Sequence, residues 1–226
     1  MFIDFGLGFL SSQHSIHSEW FYNFACSFLV VILIFVAMSF FNMLSTNLYS
    51  KDFSMNKFFI ELTMSLIPIG ILSILVFPSL VLLYDVFTLP DEVVSVGVVG
   101  HQWYWTYDYS VGGGVSVDSY MSPVDELAMG GFRLLDVDNR CIIPCSLPVG
   151  FMITSDDVIH CWTLPSLSIK SDALSGVVGH LICIFPILGV FYGQCSEICG
   201  AFHSFMPIVV ESTLPQNFIN WMYSRC

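Results

Sequence analysis

The chain has 226 residues, of which 55% are hydrophobic and only 11% are charged, and its mean hydropathy is +0.77. Because ordinary soluble domains carry roughly a quarter charged residues, part of this chain is expected to be surrounded by lipid. The formal net charge is −12, from 6 basic and 18 acidic residues. This balance argues against nucleic acid as a partner and favours cations or a basic protein.

Two long uncharged segments near the N-terminus predict a pair of transmembrane helices. They cover residues 20–50 and 62–84, and the second contains Pro68 and Pro78. About 20 apolar residues cross a hydrocarbon core, and proline is tolerated in membrane helices where neighbouring groups satisfy the freed carbonyl oxygen. No basic region precedes the first segment, so a cleaved signal peptide is not expected.

The charged residues around these segments predict the orientation of the hairpin. Lys51 and Lys57 lie in the connection, residues 44–59, whereas the segment before the first span holds Asp4 and Glu19 and no lysine or arginine. The positive-inside rule therefore predicts the connection on the cytoplasm-like side, with both termini outside. The expected organisation is an external N-terminal segment (1–19), a transmembrane helical hairpin (20–84) and an external domain (85–226).

The external segment has the pattern of a β domain. Short β-branched and aromatic runs are interrupted by Gly, Asp, Asn and Pro, which is typical of an antiparallel sandwich or barrel. The predicted strands are 93–99, 102–109, 132–137, 141–145, 152–154 and 208–211. Residues 173–196 carry no charge, but several glycines and a proline interrupt them, so strands are expected there and not a third span. Residues 215–223 predict a short helix. The fold class is α+β, a membrane hairpin followed by a β-barrel or sandwich.

The strongest chemical motif is CSEICGAFHSFM, residues 195–206, which places two thiols, an imidazole and a thioether in one short segment. Blue-copper sites combine His, Cys and a weak axial Met. The second cysteine allows two thiolates to bridge two copper ions, and His160 is the candidate for a second imidazole. A structural zinc site and a disulfide are the alternatives, but zinc favours CxxC spacing and needs no methionine.

Three segments resemble cytochrome c oxidase subunit II: GHQWYWTYDYS (100–110), DVIHCWTLPSLSIKSDAL (157–174) and YGQCSEICGAFHSFMPIVVES (192–212). The resemblance implies a cupredoxin-like domain with a dinuclear copper centre. It implies that the chain accepts electrons from cytochrome c and passes them to haem in the large catalytic subunit, supporting oxygen reduction to water and proton translocation. The oxygen-reducing site would lie on that other subunit.

The family pattern also implies the site residues. Six residues would bind the two copper ions, through imidazole, thiolate, thioether or, for the glutamate, its backbone carbonyl: His160, Cys195, Glu197, Cys199, His203 and Met206. The side chain of Glu197 would in addition reach a magnesium ion shared with the large subunit. The implied location is the mitochondrial inner membrane, with the copper domain and both termini in the intermembrane space; a bacterial plasma membrane is the alternative.

Two further residues, Trp103 and Glu61, each allow a functional and a structural interpretation. In the family, the tryptophan at the position of Trp103 receives the electron from docked cytochrome c, although aromatic runs commonly serve packing. Glu61 stands seven residues before Pro68, as does a proton-uptake glutamate in related oxidases. A carboxylate near a helix N-terminus is also favoured by the helix dipole alone, while ionisable groups at membrane depth are functional candidates.

The sequence departs from the family in two places. Residues 111–114 are Val-Gly-Gly-Gly, where relatives commonly carry carboxylates of the cytochrome c docking face, so docking is expected to be shifted or weaker. Residues 175–177 replace a usual Pro-Gly-Arg, and the following strand is more apolar, which suggests a covering subunit. The rival functions are a membrane-anchored copper carrier or assembly protein, a quinol-oxidase subunit, which should lack the copper ligands, and a structural zinc protein.

Overall fold

The computed structural model describes residues 12–45, 56–87, 90–110, 114–127 and 129–225. The chain divides into two compact units, one formed by His17–Phe87 and the other by Thr88–Cys226 together with the N-terminal residues up to Ile16. Lys51 of the predicted connection and residues 111–113 of the uncharged loop lie outside the described residues.

The first unit consists of two long helices, α1 (Gln13–Ser45) and α2 (Lys57–Phe87). A reciprocal cap begins α1, because the Ser15 amide donates to Ser12 Oγ over 3.0 Å and the Ser12 amide donates to Ser15 Oγ over 3.1 Å. Both helices are long and apolar enough to cross a membrane, and their apolar side chains are not buried by protein. The predicted two-helix hairpin is confirmed.

The second unit is a β-sandwich with a short C-terminal helix, α3 (Pro215–Arg225). Its strands are β1 (Val94–His101), β2 (Tyr104–Tyr109), β3 (Val115–Ser119), β4 (Cys141–Pro144), β5 (Pro148–Ser155), β6 (His160–Leu164), β7 (Ile169–Ala173), β8 (Gly179–Ile184), β9 (Gly189–Gln194) and β10 (Pro207–Thr213). The predicted strands at 173–196 and the predicted C-terminal helix are present, and the cupredoxin-like sandwich is confirmed.

The strands form three sheets, of order β3-β2-β1-β5-β8, β4-β10-β9 and β6-β7. Most neighbours are antiparallel, but β1 pairs with β5 and β10 pairs with β4 in parallel. Side chains alternate along β1 and β3 between buried and more exposed positions, as the period of two requires. The core contains large aromatic residues that are fully buried, among them Trp105, Tyr107, Phe151, Trp162 and Phe185.

Two of the predicted strands are wrong in whole or in part. Residues 132–137 form turns, with Leu134 in the left-handed region at φ 67°, and Val137 makes only an isolated bridge to Met121. The strand predicted over 102–109 begins at Tyr104, because residues 102–103 are the turn that joins His101 to its partner Tyr104. The Gln-Trp turn lacks the Gly, Asn or Asp that marks most tight hairpin turns.

Candidate metal centre

One histidine enters the site from a strand of the sandwich. His160 is the first residue of β6, and its side chain is fully buried. Its Nε2 lies 2.8 Å from Asp157 Oδ1, and its Nδ1 lies 4.0 Å from Cys195 Sγ. Because Asp157 takes the outer nitrogen, the inner nitrogen is directed towards the thiols, which is the usual arrangement of a metal-binding histidine.

The two cysteines of the motif lie on the loop that follows β9. The strand approaches β6 so closely at Gly193 that a Cβ there would overlap the carbonyl oxygen of Thr163. Directly after the strand, the Ser196 amide donates a hydrogen bond of 3.1 Å to the carbonyl oxygen of Cys161. These contacts fix the start of the loop against β6 and bring Cys195 next to His160.

The side chains of the motif converge on one buried cluster. Cys195 Sγ and Cys199 Sγ are 3.9 Å apart. The ligand atoms of His160, Cys195 and Cys199 all lie within 4.8 Å of one another, and the three residues are buried. Cys199 Sγ lies 3.5 Å from His203 Nδ1 and 3.4 Å from the Met206 sulfur.

The last predicted copper ligand, the carbonyl oxygen of Glu197, is 3.3 Å from Cys195 Sγ. The structure thus brings all six predicted copper-binding residues together.

Hydrogen bonds shift the pKa values of the His160–Asp157 pair. Burial of Asp157 opposes its ionisation, but hydrogen bonds from His160 and from the amides of Val158 and Gln102 outweigh burial and lower the pKa of this carboxyl group. Burial of His160 opposes its protonation, but contacts with Cys195 and Asp157 raise its pKa. Asp157 therefore carries a negative charge against the buried imidazole.

The two thiols of the cluster ionise differently. Burial opposes ionisation of Cys195, yet the hydrogen bond with His160 and contacts with backbone groups lower its pKa to about 7. Burial and the neighbouring Cys195 charge raise the pKa of Cys199 to about 12. One thiolate forms readily at neutral pH, and the second forms when a cation offsets the repulsion between the two charges.

The donor set distinguishes between the candidate metals. The two cysteines are free thiols, and their 3.9 Å separation is far longer than a disulfide bond. Structural zinc sites are completed by Cys, His or carboxylate ligands. Here the thioether of Met206 is buried against Cys199 Sγ. Soft thiolate and thioether ligands together with imidazole suit copper, so these residues fit a copper centre.

Trp103 lies in the β1–β2 turn, beside the cysteine loop. Gln102 Nε2 in the same turn donates a hydrogen bond of 2.7 Å to the carbonyl oxygen of Cys199, and the Gln102 amide donates one of 2.7 Å to Asp157. Gly200 has φ 126°, and a Cβ at this position would lie 3.1 Å from the Trp103 indole. Trp103 is therefore half-buried against the backbone that carries Cys199.

Gln102 and the contact of Asp157 with His160 were not predicted as parts of the site. No role at the metal site was predicted for Asp157, and Gln102 was assigned to a strand. The feature of the sequence that could have identified Asp157 was its position three residues before the candidate ligand His160. No sequence pattern pairs Gln102 with Cys199, since the two residues are 97 positions apart.

Glu61 lies in α2 and is not part of the metal cluster. It is the fifth residue of the helix and is exposed, and its carbonyl oxygen accepts a hydrogen bond of 2.9 Å from Ser65 Oγ. The dipole effect is confined to the first turn, and Glu61 is already beyond it. The helix-capping interpretation of Glu61 is weakened by this position.

A β-sandwich with this soft-ligand cluster, preceded by two apolar helices, defines the class of membrane-anchored, cupredoxin-like copper proteins. Comparison with known proteins leads to the family. The profile described as "Cytochrome C oxidase subunit II, periplasmic domain" matches residues 94–213, more than half of the chain. The periplasmic domain of subunit II of cytochrome oxidase from Bradyrhizobium japonicum covers 61% of this chain and 96% of its own, with a TM-score of 0.57 and 35% identity.

Whole-length relatives agree with these matches. Cytochrome c oxidase subunit 2 of Ascaris suum is 50% identical over 221 residues, covering 97% of this chain and 95% of the relative. The subunit of Caenorhabditis elegans is 48% identical over 215 residues, 93% of each chain. The chain belongs to the cytochrome c oxidase subunit II family and is a subunit of that oxidase, with two membrane spans.

Proposed function

We propose that this subunit accepts electrons from cytochrome c at a dinuclear copper centre and passes them to haem in the large catalytic subunit. The observation that carries the proposal is the cluster of two thiols, two imidazoles and a thioether, buried except for the half-buried His203, with Trp103 packed against its loop. When bound, the copper pair would supply one-electron redox chemistry. Oxygen reduction and proton translocation belong to the assembled oxidase.

The proposed ligand roles follow from the donor atoms. Cys195 and Cys199 would hold the two metal ions as thiolates, His160 and His203 would bind through imidazole, and Met206 and the Glu197 carbonyl would complete the set. The buried frame of β6 and β9 limits movement of these groups. A site whose ligands are fixed before a change of charge requires little reorganisation, which favours rapid electron transfer.

Trp103 is the proposed residue that receives the electron from cytochrome c. Its indole contacts Gly200, the residue after Cys199, and the adjoining Gln102 donates a hydrogen bond to the Cys199 carbonyl. This arrangement would give a short, partly hydrogen-bonded route from the surface to a proposed copper ligand. Exposed carboxylates at Asp118, Asp138 and Asp157 would attract a basic partner such as cytochrome c.

The Glu197 side chain is the proposed contribution of this chain to a shared magnesium site. It is half-buried. Among the described residues, the group of three or more candidate metal-binding side chains consists of His160, Cys195 and Cys199, and the Glu197 side chain is not part of it. Magnesium prefers several oxygen ligands. The remaining ligands would therefore come from the large subunit and from water.

We infer the location from the hairpin and the relatives. The whole-length relatives from Ascaris suum and Caenorhabditis elegans are animal proteins, and the animal subunits are mitochondrial. The proposed location is the mitochondrial inner membrane. Lys51 in the connection and Lys57 at the start of α2 support an orientation with the copper domain in the intermembrane space.

The electron route can be tested by stopped-flow reduction of the assembled oxidase with reduced cytochrome c. Trp103→Ala should slow copper reduction at saturating cytochrome c by at least about a hundredfold, while the copper spectrum is unchanged. Trp221→Ala, which removes another half-buried tryptophan packed on Tyr109, serves as the matched control and should keep the normal rate. Equal rates for the Trp103 variant and wild type would remove Trp103 from the route.

Glu61 is the proposed point of proton uptake on the inner side of the membrane. Glu61→Gln preserves the shape and polarity of the side chain but removes its charge, so we expect slower steady-state oxygen consumption with normal copper reduction by cytochrome c. Ser65→Ala, which removes the hydroxyl bonded to the Glu61 carbonyl, is the control for local changes in α2. Normal turnover of the Glu61 variant would leave this carboxylate without a role in proton transfer.

A further inference from the structure

Three aromatic side chains form an exposed patch beside the metal cluster: Trp103, Phe202 and Phe205, here called the aromatic patch. The rings of Trp103 and Phe202 meet edge to face with centroids 4.9 Å apart, and those of Phe202 and Phe205 do so at 5.8 Å. Phe202 is 53% exposed and Phe205 is 41% exposed. The external domain therefore presents large apolar rings to solvent at this point.

The aromatic patch is attached directly to the metal-binding residues. Phe202 immediately precedes His203, and Phe205 immediately precedes Met206. Trp103 contacts the backbone at Gly200, next to Cys199. A protein bound on the patch would thus lie directly beside the residues that carry the ligands. Because electron transfer slows steeply with distance, a donor docked here would have a short path to the cluster.

Carboxylates adjoin the aromatic patch on the side of the β1–β2 turn. Asp157 accepts the amide hydrogen of Gln102, the neighbour of Trp103, and Asp156 lies 3.9 Å from His101 in the preceding strand. Both aspartates are exposed. An apolar centre beside charged groups is the usual anatomy of a protein–protein interface. The negative sign of these groups selects a basic partner.

We propose that Phe202 is a docking residue for the electron donor, a basic redox protein whose contact face is apolar. This inference rests on the proposed function and adds the residue that holds the donor on the surface after charges have steered it there. Phe202 contributes affinity and Trp103 contributes the transfer rate. The assignment also accounts for how docking is maintained although residues 111–114 carry no charge.

The two contributions differ in their response to salt. Charge–charge steering is screened as ionic strength rises, whereas burial of an aromatic ring persists. Aromatic residues near the centre of an interface commonly dominate its affinity. Removal of the Phe202 ring should therefore weaken docking at high salt as well as at low salt, without changing the rate of electron transfer in the bound complex.

The test measures cytochrome c oxidation by the assembled oxidase at low and high ionic strength, with KM and kcat determined separately. Phe202→Ser should raise KM about tenfold at both salt concentrations and leave kcat and the copper EPR spectrum unchanged. Phe202→Leu keeps an apolar side chain and should remain within about threefold of the wild-type KM. Phe132→Ser removes another exposed ring that also makes an edge-to-face contact, with Tyr192, and should leave KM unchanged.

An unchanged KM for Phe202→Ser would overturn the proposal. An equal rise in KM for Phe132→Ser would also overturn it, as would a changed copper EPR spectrum in Phe202→Ser, because the ring would then serve the metal site and not docking. The Trp103→Ala variant separates this failure from failure of the proposed function. If electron transfer is slow in Trp103→Ala but KM is normal in Phe202→Ser, the proposed electron route through Trp103 stands and the docking role of Phe202 is rejected.

Discussion

Two pairs of buried cysteines in the β-sandwich have opposite surroundings. Cys195 and Cys199 lie in the loop after β9, among two imidazoles and a thioether. Cys141 and Cys183 lie in the hydrophobic core of the sandwich. Burial raises the pKa of Cys141 to about 12. Burial, together with the neighbouring Cys141, also raises the pKa of Cys183, whereas hydrogen bonding with His160 lowers the pKa of Cys195 to about 7.

The difference shows that burial alone does not make a cysteine a ligand. In the core pair the hydroxyl of Tyr109 lies 3.5 Å from Cys141 Sγ, and both thiols behave as small hydrophobic side chains. In the loop pair the imidazole of His160 favours a thiolate, and Asp157 supports the imidazole from behind. The surrounding donors, not the thiols, distinguish the metal centre from the core.

The largest expected effect comes from removing a thiol of the loop pair. Cys199→Ser should abolish the dinuclear copper centre, because a hydroxyl does not bridge copper as a thiolate does. Cys183→Ser is the matched substitution in the core and should keep full copper loading while lowering stability. Metal analysis and EPR of the two purified variants separate these outcomes. Full copper loading of both variants would remove the contrast between the two pairs.

The pH dependence of copper loading should also reflect the loop pair. Metal binding requires thiolates, and Cys199, with a pKa of about 12, is protonated at neutral pH. Its proton is released on loading, so apparent copper affinity should rise with pH, roughly tenfold per unit between about pH 8 and 9. Below about pH 7 the apparent copper affinity should depend more steeply on pH, because Cys195 is then also protonated and must release its proton on loading.

The pH dependence of copper affinity can be measured by competition titrations against a chelator whose own copper affinity is known at each pH. Cys183→Ser, which leaves the loop thiols in place, should give the same slope as wild type. A flat profile above about pH 8 would mean that Cys199 does not bind as a thiolate.

How far sequence predicts this molecule differs between its parts. The two spans were predictable because an uncharged apolar run of this length is rare outside membrane helices, and the ligand loop because four soft or nitrogen donors share one short segment. The turns at 132–137 were not predictable, since the residue types FRLLDV do not reveal that Leu134 takes φ 67°. The hydrogen bond from Gln102 to Cys199 also depends on packing between distant segments.

A smaller effect is expected at the thioether. Met206→Leu keeps the buried volume but removes a weak ligand, so copper should remain bound while the reduction potential of the centre changes. Redox titration of the variant followed by its visible spectrum measures the shift. Loss of all copper in Met206→Leu would contradict the assigned role of a tuning ligand.

The smallest effect is expected in the core pair. Cys141→Ala should lower the free energy of unfolding by about 1–2 kcal/mol, because it leaves a small cavity next to Tyr109. The copper spectrum should be unchanged. Denaturant unfolding of the copper-loaded domain checks the first expectation. A loss of copper in Cys141→Ala at wild-type stability would show that the core thiol takes part in the centre.

The most direct test of the account is the copper content and EPR spectrum of the external domain, residues 85–226, after loading with copper. We expect two copper ions per chain and the hyperfine pattern of one unpaired electron shared by two copper nuclei, since both loop thiols are placed to bridge. One copper per chain with the hyperfine pattern of a single nucleus, or stoichiometric zinc with no copper, would contradict the dinuclear centre.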